Sequence, residues 1–151
     1  MQTITEKSTE AIKDLIIINN DRFEGYQKAL EQTEDADLKT LFQQYSIESK
    51  SFANELRLLL PDYKDAPDRD ETRISGKFYR AWMDIKNALS GNDRKAVLSS
   101  CEYGEDVAKK AYENALTDRT SLPQETVTLI QDQFDEILDA HNTIKTLRDS
   151  I

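Results

Sequence analysis

Apolar residues recur along this chain at intervals of three and four through five long stretches. That spacing marks one face of a helix. The first stretch, residues 5–32, carries Ile12, Leu15, Ile16, Phe23, Tyr26 and Leu30 on its face, with Asn19 among them. The run Leu15-Ile-Ile-Ile18 has strand-like residues, but its long flanks keep the helical period. The second stretch follows Asp37, a suitable N-cap, and carries Leu38, Leu41, Phe42, Tyr45, Phe52, Leu56 and Leu59. It stops at Pro61, because a proline disfavours helical geometry in the residue before it. A third, residues 74–89, holds Phe78, Trp82, Ile85 and Leu89 in register. The fourth, residues 94–116, is lined by small side chains: Val97, Cys101, Gly104, Ala108, Ala111 and Ala115, with Tyr112. The fifth begins near Pro123, a good first-turn residue, and reaches Arg148 with Val127, Ile130, Phe134, Ile137, Leu138 and His141 on its face.

These stretches predict an architecture. Residues 5–60 form one helical hairpin and residues 92–149 another. Between them, Pro61 to Glu71 is polar and loop-like, and Ser90-Gly-Asn-Asp93 is a turn with Gly91 as a helix C-cap and Asp93 as an N-cap. Pro61 to Glu71 is not a domain boundary, since the helices on either side each have one apolar face that needs a partner. Residues 1–151 therefore make one domain. The expectation is an all-α, ferritin-like, up-down-down-up four-helix bundle with a long crossover carrying an additional helix.

Composition narrows the function classes. With four Gly and three Pro the chain lacks the turns of an all-β fold. Lys plus Arg number 20 against 29 Asp plus Glu, a net charge of −9. Such a field repels phosphate backbones and anionic lipid, so neither nucleic acid nor membrane is expected as a partner. A single Cys excludes an intrachain disulfide and a multi-thiolate zinc site. The start, Met1-Gln-Thr-Ile-Thr-Glu-Lys7, has no basic region followed by an apolar one, which points to the cytoplasm.

Candidate chemistry follows from helical rotation of about 100° per residue. The inward polar set is Asn19, Tyr26, Ser49, Glu105, His141 and Gln131. Glu24 sits at an edge, and Glu48, Glu55 and Glu102 sit on flanks. A buried carboxylate needs a partner, and the sole histidine lies on the next helix of the same hairpin. Glu105 and His141, with Glu24 or Glu102, are therefore candidate ligands for one divalent metal, Fe, Mn or Zn. The other reading is a structural Glu105–His141 contact, with Tyr26 and Asn19 as further partners. A di-iron site needs paired Glu-x-x-His motifs. The chain has none: Leu138 stands three before His141, and Ser51 three after Glu48. With no Gly-rich phosphate loop, no G-x-S-x-G and no Ser–His–Asp set, no catalytic residue is assigned. Cys101 reads as packing, and Phe78, Tyr79 and Trp82 as a cover over the bundle.

Four strings carry a resemblance: Ile17-Ile-Asn-Asn-Asp-Arg-Phe-Glu-Gly-Tyr26, Gly76-Lys-Phe-Tyr-Arg-Ala-Trp-Met-Asp-Ile-Lys86, Cys101-Glu-Tyr-Gly-Glu-Asp106 and His141-Asn-Thr-Ile-Lys-Thr-Leu-Arg-Asp149. Together they resemble a bacterial family of uncharacterised ferritin-like four-helix-bundle proteins defined by a domain of unknown function. The resemblance implies a fold and brings no activity. Three functions stand at this point. One is a non-enzymatic cytoplasmic protein, stress-associated or acting through a homo-oligomer or a protein partner, with no cofactor. The alternative is a metal-binding bundle with a reduced Glu/His site for iron or peroxide handling. The third is a small-ligand carrier using Tyr26, Tyr45, Trp82 and Tyr112.

Overall fold

The first apolar stripe forms helix α1, Glu6–Gln32, in the computed structural model, which describes residues 6–60, 82, 94–117 and 119–151. Helix α2 (Ala36–Arg57), α3 (Arg94–Thr117) and α4 (Gln124–Asp149) follow, with a 3-10 turn at Arg119–Ser121. Among the described residues there are four α-helices and no strand. None of these helices is long and apolar enough to cross a membrane. The expected helix at 74–89 lies outside the described residues except for Trp82, which is helical and buried. The stretches 61–71 and 90–93 lie outside them too.

Each helix buries one stripe. Ile12, Leu15, Ile16 and Tyr26 of α1 meet Leu38, Phe42 and Leu56 of α2, Val97, Leu98 and Ala108 of α3, and Ile130, Ile137 and Ile144 of α4 in a single core. Burying a side chain of that size contributes about 1.5–3 kcal/mol.

The turns are settled by local hydrogen bonds. Thr33 N–H reaches Ala29 O, and Thr33 Oγ1 accepts from Asp35 N–H at 3.2 Å. Asp35, not Asp37, is the N-cap of α2, and its side chain makes no capping bond. Both aspartates serve Arg94 at the start of α3 instead, Asp35 at 2.9 Å and Asp37 at 3.0 and 2.8 Å. An arginine fork donates to two carboxylates at once, so it draws both side chains away from capping. Pro123 stands one place outside its expected position, as the N-cap residue of α4.

Paired contacts give the directions. Ser8 meets Ser121, Asn19 meets Tyr112 and Arg22 meets Glu105, so numbers rise along α1 as they fall along α3. Tyr45 meets Thr143 and Phe52 meets Gln133, so α2 and α4 also run opposite ways.

Candidate functional site

The centre of the bundle holds a polar layer built from all four helices. Arg22 of α1 has no exposed surface, nor has Glu105 of α3. They form a two-pronged ion pair, Nε to Oε1 at 2.7 Å and Nη2 to Oε2 at 2.8 Å. The Tyr26 hydroxyl, one helical turn along α1, donates to Oε2 at 2.7 Å. On the α2 side, Arg22 Nη1 donates to Ser49 Oγ at 3.1 Å and Nη2 to Glu48 Oε1 at 2.9 Å. The Ser49 hydroxyl in turn donates to Tyr45 O at 2.8 Å. The rings of Tyr26 and Tyr45 lie 5.5 and 5.7 Å from the guanidinium carbon, close enough for cation–π attraction.

A second tier lies beside it. Asn19 Nδ2 donates to Leu15 O and to Tyr112 Oη, each at 2.8 Å. Tyr112 donates to Gln133 Oε1 at 2.7 Å, and Gln133 Nε2 reaches Phe52 O and Glu55 Oε1 at 3.3 Å each. Gln133, not Gln131, is the inward glutamine of α4; Gln131 donates to Asp135 on the exposed side.

The electrostatics follow from burial and from these partners. Burial disfavours the Arg22 charge, but the attraction and hydrogen bond of Glu105 outweigh it and raise its pKa. Burial, then the charge of Glu105, pushes the Tyr26 phenol well above its ordinary value. Burial pushes Tyr45 up to about 12. Glu48 is raised first by burial and partly restored by Arg22. Cys101, fully buried, has its thiol raised by burial and by Glu105. Neither the phenols nor the thiol is poised as a base or nucleophile near neutral pH.

Beside the layer, the buried indole of Trp82 lies edge-on to Tyr26, with ring centres 5.3 Å apart. Gly25 and Gly104 form a notch around it. A methyl group on Gly25 would come within 2.5 Å of the indole, and one on Gly104 closer still. Of the expected cover, Trp82 is thus a wedge set between α1 and α3, while Phe78 and Tyr79 lie outside the described residues.

The four residues read as candidate metal ligands do not converge. Glu105 faces Arg22. His141 is partly buried, with Nε2 2.6 Å from Asp106 Oδ1 and Nδ1 3.2 Å from Asn142 Oδ1. The expected Glu105–His141 contact is therefore replaced by two separate pairs. The reason is rotational: the buried face of α4 runs through Ile130, Gln133, Ile137, Ala140 and Ile144, which leaves His141 about 60° off its centre. Glu24 lines an outer groove with Phe23, Lys50 and Arg57. Glu102 accepts from Arg148 at 2.6 Å. Among the described residues, no group of three or more His, Cys, Asp and Glu side chains could hold a metal ion.

The strings around Arg22 and Glu105 fall inside one matched segment. The chain belongs to the DUF2383 family, a domain of unknown function. The DUF2383 match covers residues 7–118, which takes in α1, α2, Trp82 and α3. The ion pair and the glycine notch thus lie within the DUF2383 segment, whereas Gln133 and His141 of α4 lie beyond it. No curated protein matches the chain.

Proposed function

We propose that this protein is a ferritin-like, up-down-down-up bundle that acts through its surface, as a non-enzymatic cytoplasmic interaction protein. The observation that carries the reading is the occupancy of Glu105. Its Oε1 accepts from Arg22, and its Oε2 accepts from both Arg22 and Tyr26. In a metal bundle an inward carboxylate of this kind answers a cation from solution; here the cation is a side chain of the same protein. A metal would have to displace a fully buried guanidinium, and the residues around Glu105 do not fit one. The raised phenols and thiol likewise offer no base or nucleophile. A buried polar layer fixes how helices align, and a fixed alignment presents a fixed outer surface.

Metal content and thermal melting test this. Protein purified without chelator from medium supplemented with iron, manganese and zinc should carry well under one metal per chain. Its melting temperature should not rise with added Fe²⁺, Mn²⁺ or Zn²⁺, since a ligand bound only by the native state stabilises it by mass action. Stoichiometric metal lost on Glu105→Gln would refute the reading.

A further inference from the structure

The outer side of α2 is laid out as a helix–helix seam. Ile47, Ser51, Asn54 and Leu58 follow one another at intervals of four, three and four, the alternation of heptad d and a positions. Ile47 is 60% exposed and Leu58 67%, although both are large and apolar. A groove of about 500 Å³ follows the same side, with Phe23 of α1 on one bank. The opposite side of α2, with Phe42, Phe52 and Leu56, is spent on the protein's own core.

The charges beside the seam are sorted by sign. In this register Lys50 and Arg57 take the g positions, and Glu48 and Glu55 the e positions. One flank is basic; on the other, Glu48 turns inward to Arg22, and Glu55, half-buried with one oxygen accepting from Gln133, is the carboxylate left at the rim. When two such helices pack in parallel, each g residue faces the e residue five further on in the partner. Lys50 then faces Glu55 of the partner subunit, and the pairing repeats by symmetry. Packed antiparallel, like flanks would meet and repel. The molecule as a whole carries −9, so two copies repel over most approaches. Along this seam the charges complement each other instead.

We propose that the protein forms a parallel homodimer, α2 against α2 of a second copy, about a two-fold axis along the helices. The dimer gives the interaction role above its partner and rests on that reading for its use, while the metal test of that reading is independent of it. The seam from Ile47 to Leu58 is about 18 Å long, short beside the roughly 800 Å² per partner of standard interfaces. Dissociation on dilution within the micromolar range is therefore expected.

Sedimentation velocity on the full chain tests it. Wild type should sediment at twice the 17.4 kDa chain mass and dissociate on dilution. Ile47→Glu with Leu58→Glu should be monomeric with unchanged helical circular dichroism, because both side chains are exposed. Lys50→Glu should weaken the dimer several-fold, and adding Glu55→Lys should restore it. Ser51→Cys, which faces its own copy only in the parallel arrangement, should form a cross-linked dimer on mild oxidation while buried Cys101 does not. A monomer throughout the micromolar range overturns the proposal. So does a dimer indifferent to Ile47→Glu with Leu58→Glu, a charge swap that restores nothing, or cross-linking only between Ser51→Cys and Asn54→Cys chains.

Discussion

At Arg22, a guanidinium without exposed surface faces two carboxylates, a serine hydroxyl and two aromatic rings. Desolvating such a charge is costly, and only paired, well-aligned partners offset it. The asymmetry between breaking and replacing the pair is testable. Arg22→Leu or Glu105→Gln alone should each cost about 3–5 kcal/mol, because one buried charge loses its partner, whereas Arg22→Leu with Glu105→Leu should recover most of that loss. Denaturant unfolding of the three variants measures it, and strictly additive losses would contradict the pairing. The sequence showed half of this pair. Glu105 was legible as inward by rotation, and so were Tyr26, Asn19 and Ser49. Arg22 stands three after Asn19 and four before Tyr26, the same spacing that placed those two inside. A charged side chain ordinarily faces solvent, so spacing alone does not place Arg22 inside. His141 erred the other way. Its expected inward place rests on the face of Phe134, Ile137 and Leu138, of which only Ile137 belongs to the buried stripe of α4.

Among the elements, the small residues of α3 have a specific occupant. Gly104 does not simply let two helices approach; with Gly25 it shapes a slot for an indole. Gly104→Ala puts a methyl into that ring. Overpacking of this kind costs about 1–3 kcal/mol, and Trp82→Leu in the same chain should return part of it by vacating the slot. Thermal melts of the single and double variants decide the point; an unchanged melting temperature for Gly104→Ala would place the indole elsewhere. The sequence forecast the small face and the inward Gly104 and Ala108, both buried. It could not forecast that α1 supplies the matching glycine, because spacing within one helix says nothing of the height at which two helices meet. Among the described residues, helix identities and most ends were legible from periodicity and from Pro123; α2 ends at Arg57, short of where Pro61 would stop it. The exact cap of α2 was not, because Arg94, 59 residues away, decides how Asp35 is used.

For the whole molecule, acid excess extends into the interior. One guanidinium stands against Glu105 and Glu48, and the carboxyl of Glu48 is raised by burial and by its neighbours Glu105 and Glu136. A carboxyl raised in the folded state adds stability below its ordinary range and loses it as pH rises through the folded value. Glu48→Gln keeps the neutral form at every pH and preserves an oxygen for Arg22. Its melting temperature should equal or exceed wild type at neutral pH, with the gap closing as the solution is made acid. Parallel melts of both proteins from pH 4 to 7 check the sign, and a gap that widens toward acid would reverse it.

Trp82 is the only tryptophan in the chain, and it is lodged in the notch between α1 and α3, distant in sequence from both. Intrinsic emission therefore reports a single event, the seating of one ring, with no second indole to blur it. Excited selectively, the native protein should emit at the blue edge of the tryptophan range and resist quenching by iodide. Helical circular dichroism reports the helices themselves. If the wedge leaves before the bundle melts, emission will redden at lower denaturant than the dichroism falls. If the two transitions coincide, the indole and the four helices unfold as one cooperative body.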